Sequence, residues 1–332
     1  MARLRVPEPR AGSRILGVGV YRPARVVDNE EICARIDSSD EWIRRRSGIV
    51  SRRFAGPEET VVGMAAEAAR KAMAQAGTDP DRVGMVLLAT MSFLEQAPAA
   101  APRVARLVGA RSAGGLDIGA ACSGFCYALG LADALVRSGE TDSVVVIGSE
   151  RMSDIVDPAD RGTAFLFGDG AGAVVVGPSD TPGIGPVVWG SDGERHRMIA
   201  HDGSWLGTRD PRGPWPYLRM AGPEVFRWAT RTVPGVARQA VERAGLAVAD
   251  LAAYIPHQAN ARIIDATAKS LNLAPHTAIA RDVVTSGNTS AASIPLAMDQ
   301  LLAQGDLASG DPALLVGFGA GLTHAAQVVA LP

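Results

Sequence analysis

The chain has 332 residues, 47% of them hydrophobic and 20% charged, with a net charge of −2, which excludes a polybasic nucleic-acid or membrane-surface protein and leaves a globular chain with a large core. Three cysteines, Cys33, Cys122 and Cys126, are too few and too oddly numbered for a disulfide framework and point to a reducing cytoplasm. No apolar run approaches the ~18 residues of a membrane helix, and the basic, proline-broken start lacks the apolar stretch of a secretion signal.

In chain order, an Ala/Arg-rich helical stretch at 63–75 leads to a short β-branched run at 86–89, and a second helix at 127–137 leads to runs at 144–147 and 173–176. After an excursion at 191–216, rich in Gly, Asp, Trp and His and a candidate lid, come helices at 225–243 and 294–302 and a run at 314–316. Short apolar runs alternating with amphipathic helices predict an α/β fold whose strands are buried under helices. The GDGAGAVVVG segment at 168–177 has the glycines of a dinucleotide loop, but a strand follows where a helix should begin, so no dinucleotide site is expected.

The chain also repeats itself. AGTDPDRVGMVLLAT at 76–90 matches AGLAVADLAAYIPHQ at 244–258, an offset of 168, and the same offset carries Cys122 to Ser290; DSVVVIG at 142 matches DPALLVG at 311, an offset of 169. Two related halves follow, and with them a consequence: equivalent strand ends and helix starts face each other across a pseudo-twofold axis, so residues far apart in sequence converge on one site.

Three residues carry the chemistry. Cys122, in DIGAACSGFCYALG, sits at a strand-to-helix turn, where unpaired N–H groups and the helix dipole favour the thiolate that attacks a thioester. Cys126, one helical turn on, reads as a structural cysteine. His257 ends a strand in YIPHQAN, and Asn288 lies in TSGNTSAAS just before the second-half helix. The duplication brings both beside Cys122, where a neutral imidazole and an amide donate to one oxygen. The Gly-rich GFGAGLT at 317–323 follows a strand and aims a backbone N–H at an oxyanion. The other four histidines read as surface or packing residues, and no metal site is expected.

Together ACSGF, IPHQANARII, GNTSAASIP, SSDEWIRRRSGI, DRGTAFLFGDGAGA and GFGAGLT resemble the β-ketoacyl-acyl-carrier-protein synthase III family over the whole chain, closest to actinobacterial fatty-acid-initiating and polyketide-priming members. The resemblance implies a thiolase-like fold of five αβαβα layers in two duplicated halves, 1–178 with the cysteine and 179–332 with the histidine and asparagine, assembled as a homodimer. It implies that Cys122 takes an acyl group from acyl-CoA, with the N–H groups of Cys122 and Ala320 holding the oxyanion. His257 and Asn288 then bind malonyl-acyl carrier protein as it decarboxylates, and Phe318 shields the pair from water. Trp42 and Arg161 match residues that sandwich the CoA adenine, and Arg46, Phe226 and Asn260 match contacts along the CoA and pantetheine arm. Arg227, Arg262 and Lys269 match the docking patch for the acidic carrier. No cofactor is implied.

Departures from the family pattern are Ser123 beside the nucleophile, Pro223 in place of an Asn that reaches the pantetheine, Ser270 for a second docking lysine, and Ala97. Ala97 stands where other members reach across the dimer with a larger side chain to close the acyl pocket, so a starter larger than acetyl is expected. Two competing readings are a non-decarboxylating acyltransferase to oxygen or nitrogen and a non-catalytic subunit; the complete Cys-His-Asn set favours condensation over both. A thiolase would need a second cysteine late in the chain. A hydroxymethylglutaryl-CoA synthase would need a general-acid glutamate ahead of the nucleophile, where only Glu95 stands, read as a solvated loop residue.

Overall fold

A computed structural model describes residues 6–210 and 213–332. The first of two five-stranded sheets contains β1 (Gly12–Tyr21), β2 (Val83–Ala89), β3 (Gly114–Ile118), β4 (Ser143–Glu150) and β5 (Gly170–Ser179), in the spatial order β1-β5-β4-β2-β3. The second contains β6 (Val188–Gly190), β7 (Ala253–Pro256), β8 (Ala278–Ile279), β9 (Pro312–Phe318) and β10 (His324–Ala330), in the order β6-β10-β9-β7-β8. In both sheets the first two pairings are antiparallel and the last two parallel. The two sheets therefore share one topology.

Period-two alternation assigns the strand faces. On β4, Val144 and Val146 face the centre of the molecule, where α2 (Gly124–Arg137) and α5 (Ser293–Leu302) lie between the sheets. Val145 and Ile147 face outward against α1 (Val61–Ala76). On β9, Leu315 faces the central helices, while Leu314 and Val316 face α3 (Gly222–Arg243) and α4 (Ala261–Leu271). Five layers result: helix, sheet, paired helices, sheet, helix. The strands are apolar on both faces because both faces are covered. Cys126 is fully buried in the central layer, the structural place expected of it.

The symmetry extends to backbone strain. Each central helix is entered through a 3-10 turn, Ala121–Ser123 before α2 and Ser290–Ala292 before α5. Each turn opens on a non-glycine residue of positive φ, Ala121 at 45° and Ser290 at 48°, a conformation that costs about 1–3 kcal/mol. This pairing corrects the sequence alignment by one residue: the counterpart of Ser290 is Ala121, and that of Cys122 is Ala291. The offset grows from 168 to 169 between β2 and the nucleophile turn, and similar small residues hide the slip.

Two glycines hold the halves together. A Cβ on Gly148 of β4 would lie 2.2 Å from the Ala291 carbonyl oxygen, and one on Gly317 of β9 would lie 2.8 Å from Ser123 Cα. Each sheet thus presses its glycine against the other half's turn. Gly148→Ala should cost about 3 kcal/mol or more, because backbone on both sides must separate; a fall in the urea midpoint at unchanged m-value measures it.

The 191–216 segment is more ordered than the irregular excursion expected. It holds 3-10 turns at Gly193–Met198 and Trp205–Arg209, and a short strand, Ile199–His201, that pairs with Leu218–Met220. Residues 211 and 212 lie outside the described part of the chain. No helix among the described residues is long and apolar enough to cross a membrane.

Candidate active site

Cys122 occupies the middle of the first 3-10 turn and is 6% exposed. His257 follows the last residue of β7 and is 2% exposed, its N–H donating to Val316 O at 2.7 Å. Asn288 precedes the second 3-10 turn; its N–H donates to Leu166 O at 2.8 Å, and its own carbonyl accepts from Gly168 N at 3.0 Å. All three side chains line one small chamber with Phe318, Gly319 and Ala320. The convergence expected from the duplication is what the fold produces.

The polarity of the chamber follows from which atoms are already engaged. Asn288 Oδ1 accepts from Ser290 N at 2.9 Å, so its amide nitrogen, which has no hydrogen bond to a described residue, is the group turned to the chamber. Burial holds His257 well below the ordinary range, at about 3, so the imidazole is neutral throughout the physiological range. The Phe318 and His257 rings pack edge to face, 5.2 Å between centroids and 76° between planes, and Phe318 walls the imidazole from water.

For Cys122 the expectation of a favoured thiolate is outweighed by burial. Burial pushes the thiol up from 9.0 to about 12, a penalty of about 4 kcal/mol. A helix N-terminus returns only about 0.3–1 kcal/mol. The Glu150 carboxylate opposes the thiolate further, while the Ser290 hydroxyl, which faces both groups, favours the charged form of each without reaching hydrogen-bond geometry. Glu150 escapes sequence reasoning because only its fold neighbours mark it. It ends β4 fully buried and accepts from Met91 N at 3.0 Å and Ser92 N at 3.1 Å, so it anchors the loop that follows β2. Glu95, by contrast, is exposed and pairs with Arg103 at 2.8 Å, the solvated loop residue expected.

The 317–323 turn reaches the nucleophile because its third residue, Gly319, has no side chain. A Cβ on Gly319 would lie 2.7 Å from Cys122 Cβ and 3.0 Å from Cys122 Sγ. Ala320 opens a 3-10 turn directly after Gly319, and N–H groups of a first turn have no partner within it. Ser123 ties the two turns: its Oγ lies 2.7 Å from Ala120 O and 2.8 Å from Thr323 Oγ1. Among the described residues no group of three or more His, Cys, Asp or Glu is arranged to hold a metal ion.

Residues 116–193 match the 3-Oxoacyl-[acyl-carrier-protein (ACP)] synthase III family, and residues 241–331 match its C-terminal counterpart. The chain is 52% identical to a β-ketoacyl-[acyl-carrier-protein] synthase III of Streptomyces coelicolor, with 100% of each chain covered. It is 50% identical to the mycobacterial β-ketoacyl-[acyl-carrier-protein] synthase III of Mycobacterium marinum, over 96% of this chain and 95% of the relative. The crystal structure of the priming β-ketosynthase from the R1128 polyketide biosynthetic pathway superposes with a TM-score of 0.97 at 50% identity, over 100% of this chain and 99% of the other. The chain belongs to the 3-oxoacyl-[acyl-carrier-protein] synthase III family. It is an enzyme, a ketosynthase of the acyltransferase class with a thiolase-like fold.

In this synthase the chamber adjoins a larger cavity on each of two sides. Met220, Val225, Ala259 and Asn288 are shared with an outer cavity of about 290 Å³ lined by Arg46, Pro223, Phe226, Arg227, Asn260 and Arg262. Most of the residues matched to CoA and carrier contacts thus gather at one mouth. Arg262 lies over the Phe226 ring at 5.2 Å, and Asn260 caps α4, its side chain accepting from Ile263 N at 2.9 Å. Arg161 lies 4.8 Å over the Trp42 ring, which packs edge to face with Phe165. Phe165 is held in turn by the fully buried Arg52, which donates to its carbonyl at 2.8 Å. Lys269 is exposed two turns along α4 from Arg262, on the same side. Ser270 is engaged by Arg238, a cation that sequence comparison did not single out.

On the other side, Met91 and Ala320 are shared with a cavity of about 720 Å³ whose wall includes Phe93, Leu94, His201, Trp205 and Trp215. The sequence marks 191–216 as an excursion and a candidate lid, but not which of its side chains reach this cavity, because its aromatics follow no helical or strand period. Ala97 is exposed and lines neither space within its own chain.

Proposed function

We propose that this synthase loads an acyl group from acyl-CoA onto Cys122 and condenses it with malonyl-acyl carrier protein, initiating a fatty-acid or aromatic-polyketide chain. His257 and Asn288 bind the malonyl thioester oxygen. The bond to the carboxylate breaks, carbon dioxide leaves, and its electron pair passes into an enolate. The enolate carbon attacks the acyl-Cys122 thioester, whose oxyanion is held by the N–H groups of Cys122 and Ala320, and a β-ketoacyl-carrier protein departs as the Cys122 thiolate is released. Decarboxylation generates the carbanion without a base, so no metal or redox cofactor enters these steps.

The observation that carries this reading is the pair of neutral donors facing one chamber with the nucleophile. Asn288 presents its amide nitrogen because its oxygen is committed to Ser290 N, and His257 is uncharged. Neutral donors stabilise an enolate without protonating it, and each such donor is worth about 3 kcal/mol of barrier.

The surroundings support the finer assignments. Trp42 and Arg161, already stacked on each other at 4.8 Å, supply an aromatic face and a planar cation for the adenine, with Arg161 lifting off the ring to admit the base. Arg46, Phe226 and Asn260 then follow the pantetheine arm inward, and Arg227, Arg262 and Lys269 receive the acidic carrier. The chamber itself has only about 30 Å³ free, room for little more than a water or two. The acyl chain therefore extends past Met91 into the 720 Å³ cavity, which favours a starter larger than acetyl.

A homodimer is supported by β3. It is an edge strand paired on one side only, with Leu116 49% exposed, the kind of edge that a second chain covers. Its Asp117 accepts from Ala100 N and Ala101 N, which holds the Ala97 loop beside that edge and turns it toward a partner. Sedimentation at the mass of one chain would remove this element of the proposal. A division just after β5, one residue beyond the 178/179 boundary expected from the sequence because Ser179 still pairs with Gly12, gives each half one sheet, and the low cysteine count supports a cytoplasmic enzyme.

Mass spectrometry tests the reaction. Protein mixed with a panel of acyl-CoAs should gain one acyl mass on Cys122, and malonyl-carrier protein should then convert it to β-ketoacyl-carrier with release of carbon dioxide. An acyl-Cys122 that survives the chase would replace condensation with simple acyl transfer.

A further inference from the structure

Ser293 is the first residue of α5 and is completely buried. Its Oγ lies 2.7 Å from His257 Nδ1 and accepts from Gln258 N at 3.3 Å. A buried hydroxyl with an acceptor in reach directs its single proton there, since leaving it unpaired forfeits stability. Gln258 N is a donor, and its side chain is engaged elsewhere: Nε2 donates to Pro256 O at 2.7 Å, and Oε1 accepts from Val283 N at 3.2 Å. The acceptor within reach of the Ser293 proton, among the described residues, is His257 Nδ1.

From this geometry we infer that Ser293 is a positioning residue that fixes His257 as the Nε2–H tautomer, so that the ring always presents a donor, never a lone pair, to the chamber. The alternative, in which Nδ1–H donates to Ser293, would strand the serine proton and aim a lone pair at the developing enolate oxygen. Nε2 has no hydrogen bond to a described residue and is not among the buried atoms lacking a partner; it opens on the chamber. The ring orientation is set by the same contact, because α5 is locked in the central layer by Ile294 and Met298. The duplication that brings Asn288 to the site thus also delivers, five residues later on the same turn and helix, the group that orients its partner. The catalytic importance of this arrangement rests on the condensation proposed above; the tautomer itself does not.

The test has a spectroscopic arm and a rate arm. In protein labelled with ¹⁵N-histidine, the two-bond ¹H–¹⁵N pattern assigned to His257, by its loss in His257→Asn, should be that of a pure Nε2–H tautomer. Ser293→Ala should mix the tautomers and slow malonyl decarboxylation on the order of 10-fold to 100-fold, short of the full loss of a donor. Acyl loading of Cys122, which uses backbone N–H groups, should persist and shows that the variant is folded. Ser293→Thr, which keeps the hydroxyl, should restore the spectrum and the rate. An Nδ1–H pattern in the parent protein overturns the proposal. So does a Ser293→Ala variant with unchanged spectrum and decarboxylation, or one in which loading and decarboxylation fall together. If the parent loads acyl groups but releases no carbon dioxide, the functional reading fails while the spectrum still decides the tautomer.

Discussion

Asn288→Asp should reduce malonyl decarboxylation by about 10²-fold to 10³-fold, the loss typical of a missing oxyanion donor, while acyl loading remains measurable in a single turnover. The substitution leaves the local fold in place, because a carboxylate oxygen accepts from Ser290 N as Asn288 Oδ1 does at 2.9 Å. What changes is the atom turned to the chamber: an amide that donates becomes an oxygen that carries negative charge. The enolate then meets a like charge in a dry site, where such repulsion is strong. Burial raises a carboxyl's pKa, so the variant should regain part of its activity as the pH falls and the neutral acid becomes able to donate. The wild-type rate should show no such recovery. Equal decarboxylation rates in the two proteins would refute the role given to Asn288.

Gly319→Ala should abolish loading, with a fall of about 10²-fold or more, and leave the protein folded. The new methyl would lie 2.7 Å from Cys122 Cβ and 3.0 Å from Cys122 N and Sγ, closer than carbon atoms approach without displacement. Gly319 has φ 179°, extended backbone that alanine adopts without strain, so the effect is purely steric. Either Cys122 or the turn bearing Ala320 must move, and both displacements break the pairing of nucleophile with oxyanion donors. Near-attack geometry tolerates little: a shift of about 1 Å costs on the order of 10²-fold. The check is the rate of acyl-mass gain on Cys122, beside a thermal midpoint that should change little. Normal loading would mean that the turn is more pliable than its packing implies.

The strands and helices were legible because their signals are local. The β-branched runs at 86–89, 144–147, 173–176 and 314–316 all lie within strands, and the amphipathic stretches all lie within helices, since both faces of each sheet demand apolar cover. The nucleophile turn was legible too: small residues between a strand and a helix leave few other conformations. Other features were hidden for stated reasons. Glu150 is an unremarkable acid at the end of a strand until the fold buries it against Met91 and Ser92. Ser293 is one of several small residues in its segment, and nothing local distinguishes the one that meets His257. The register between the halves slipped by one residue because alanine and serine resemble each other, whereas positive φ at Ala121 and Ser290 identifies the matching positions without ambiguity.

The pattern of residues along the chain pointed to an α/β protein of two related halves; neighbouring small residues marked Cys122, while His257 and Asn288 were marked by the repeat and the family motifs rather than by their local surroundings. The direction of the donors, the upward shift of the Cys122 thiol and the two cavities beside the chamber come from tertiary contacts. Each depends on which groups are buried together, and burial acts between residues that the chain holds far apart: Asn288 against Leu166, Gly319 against Cys122, Ser293 against His257. A polar atom's role in a dry site follows from the partners it already has, and those partners are supplied by the fold.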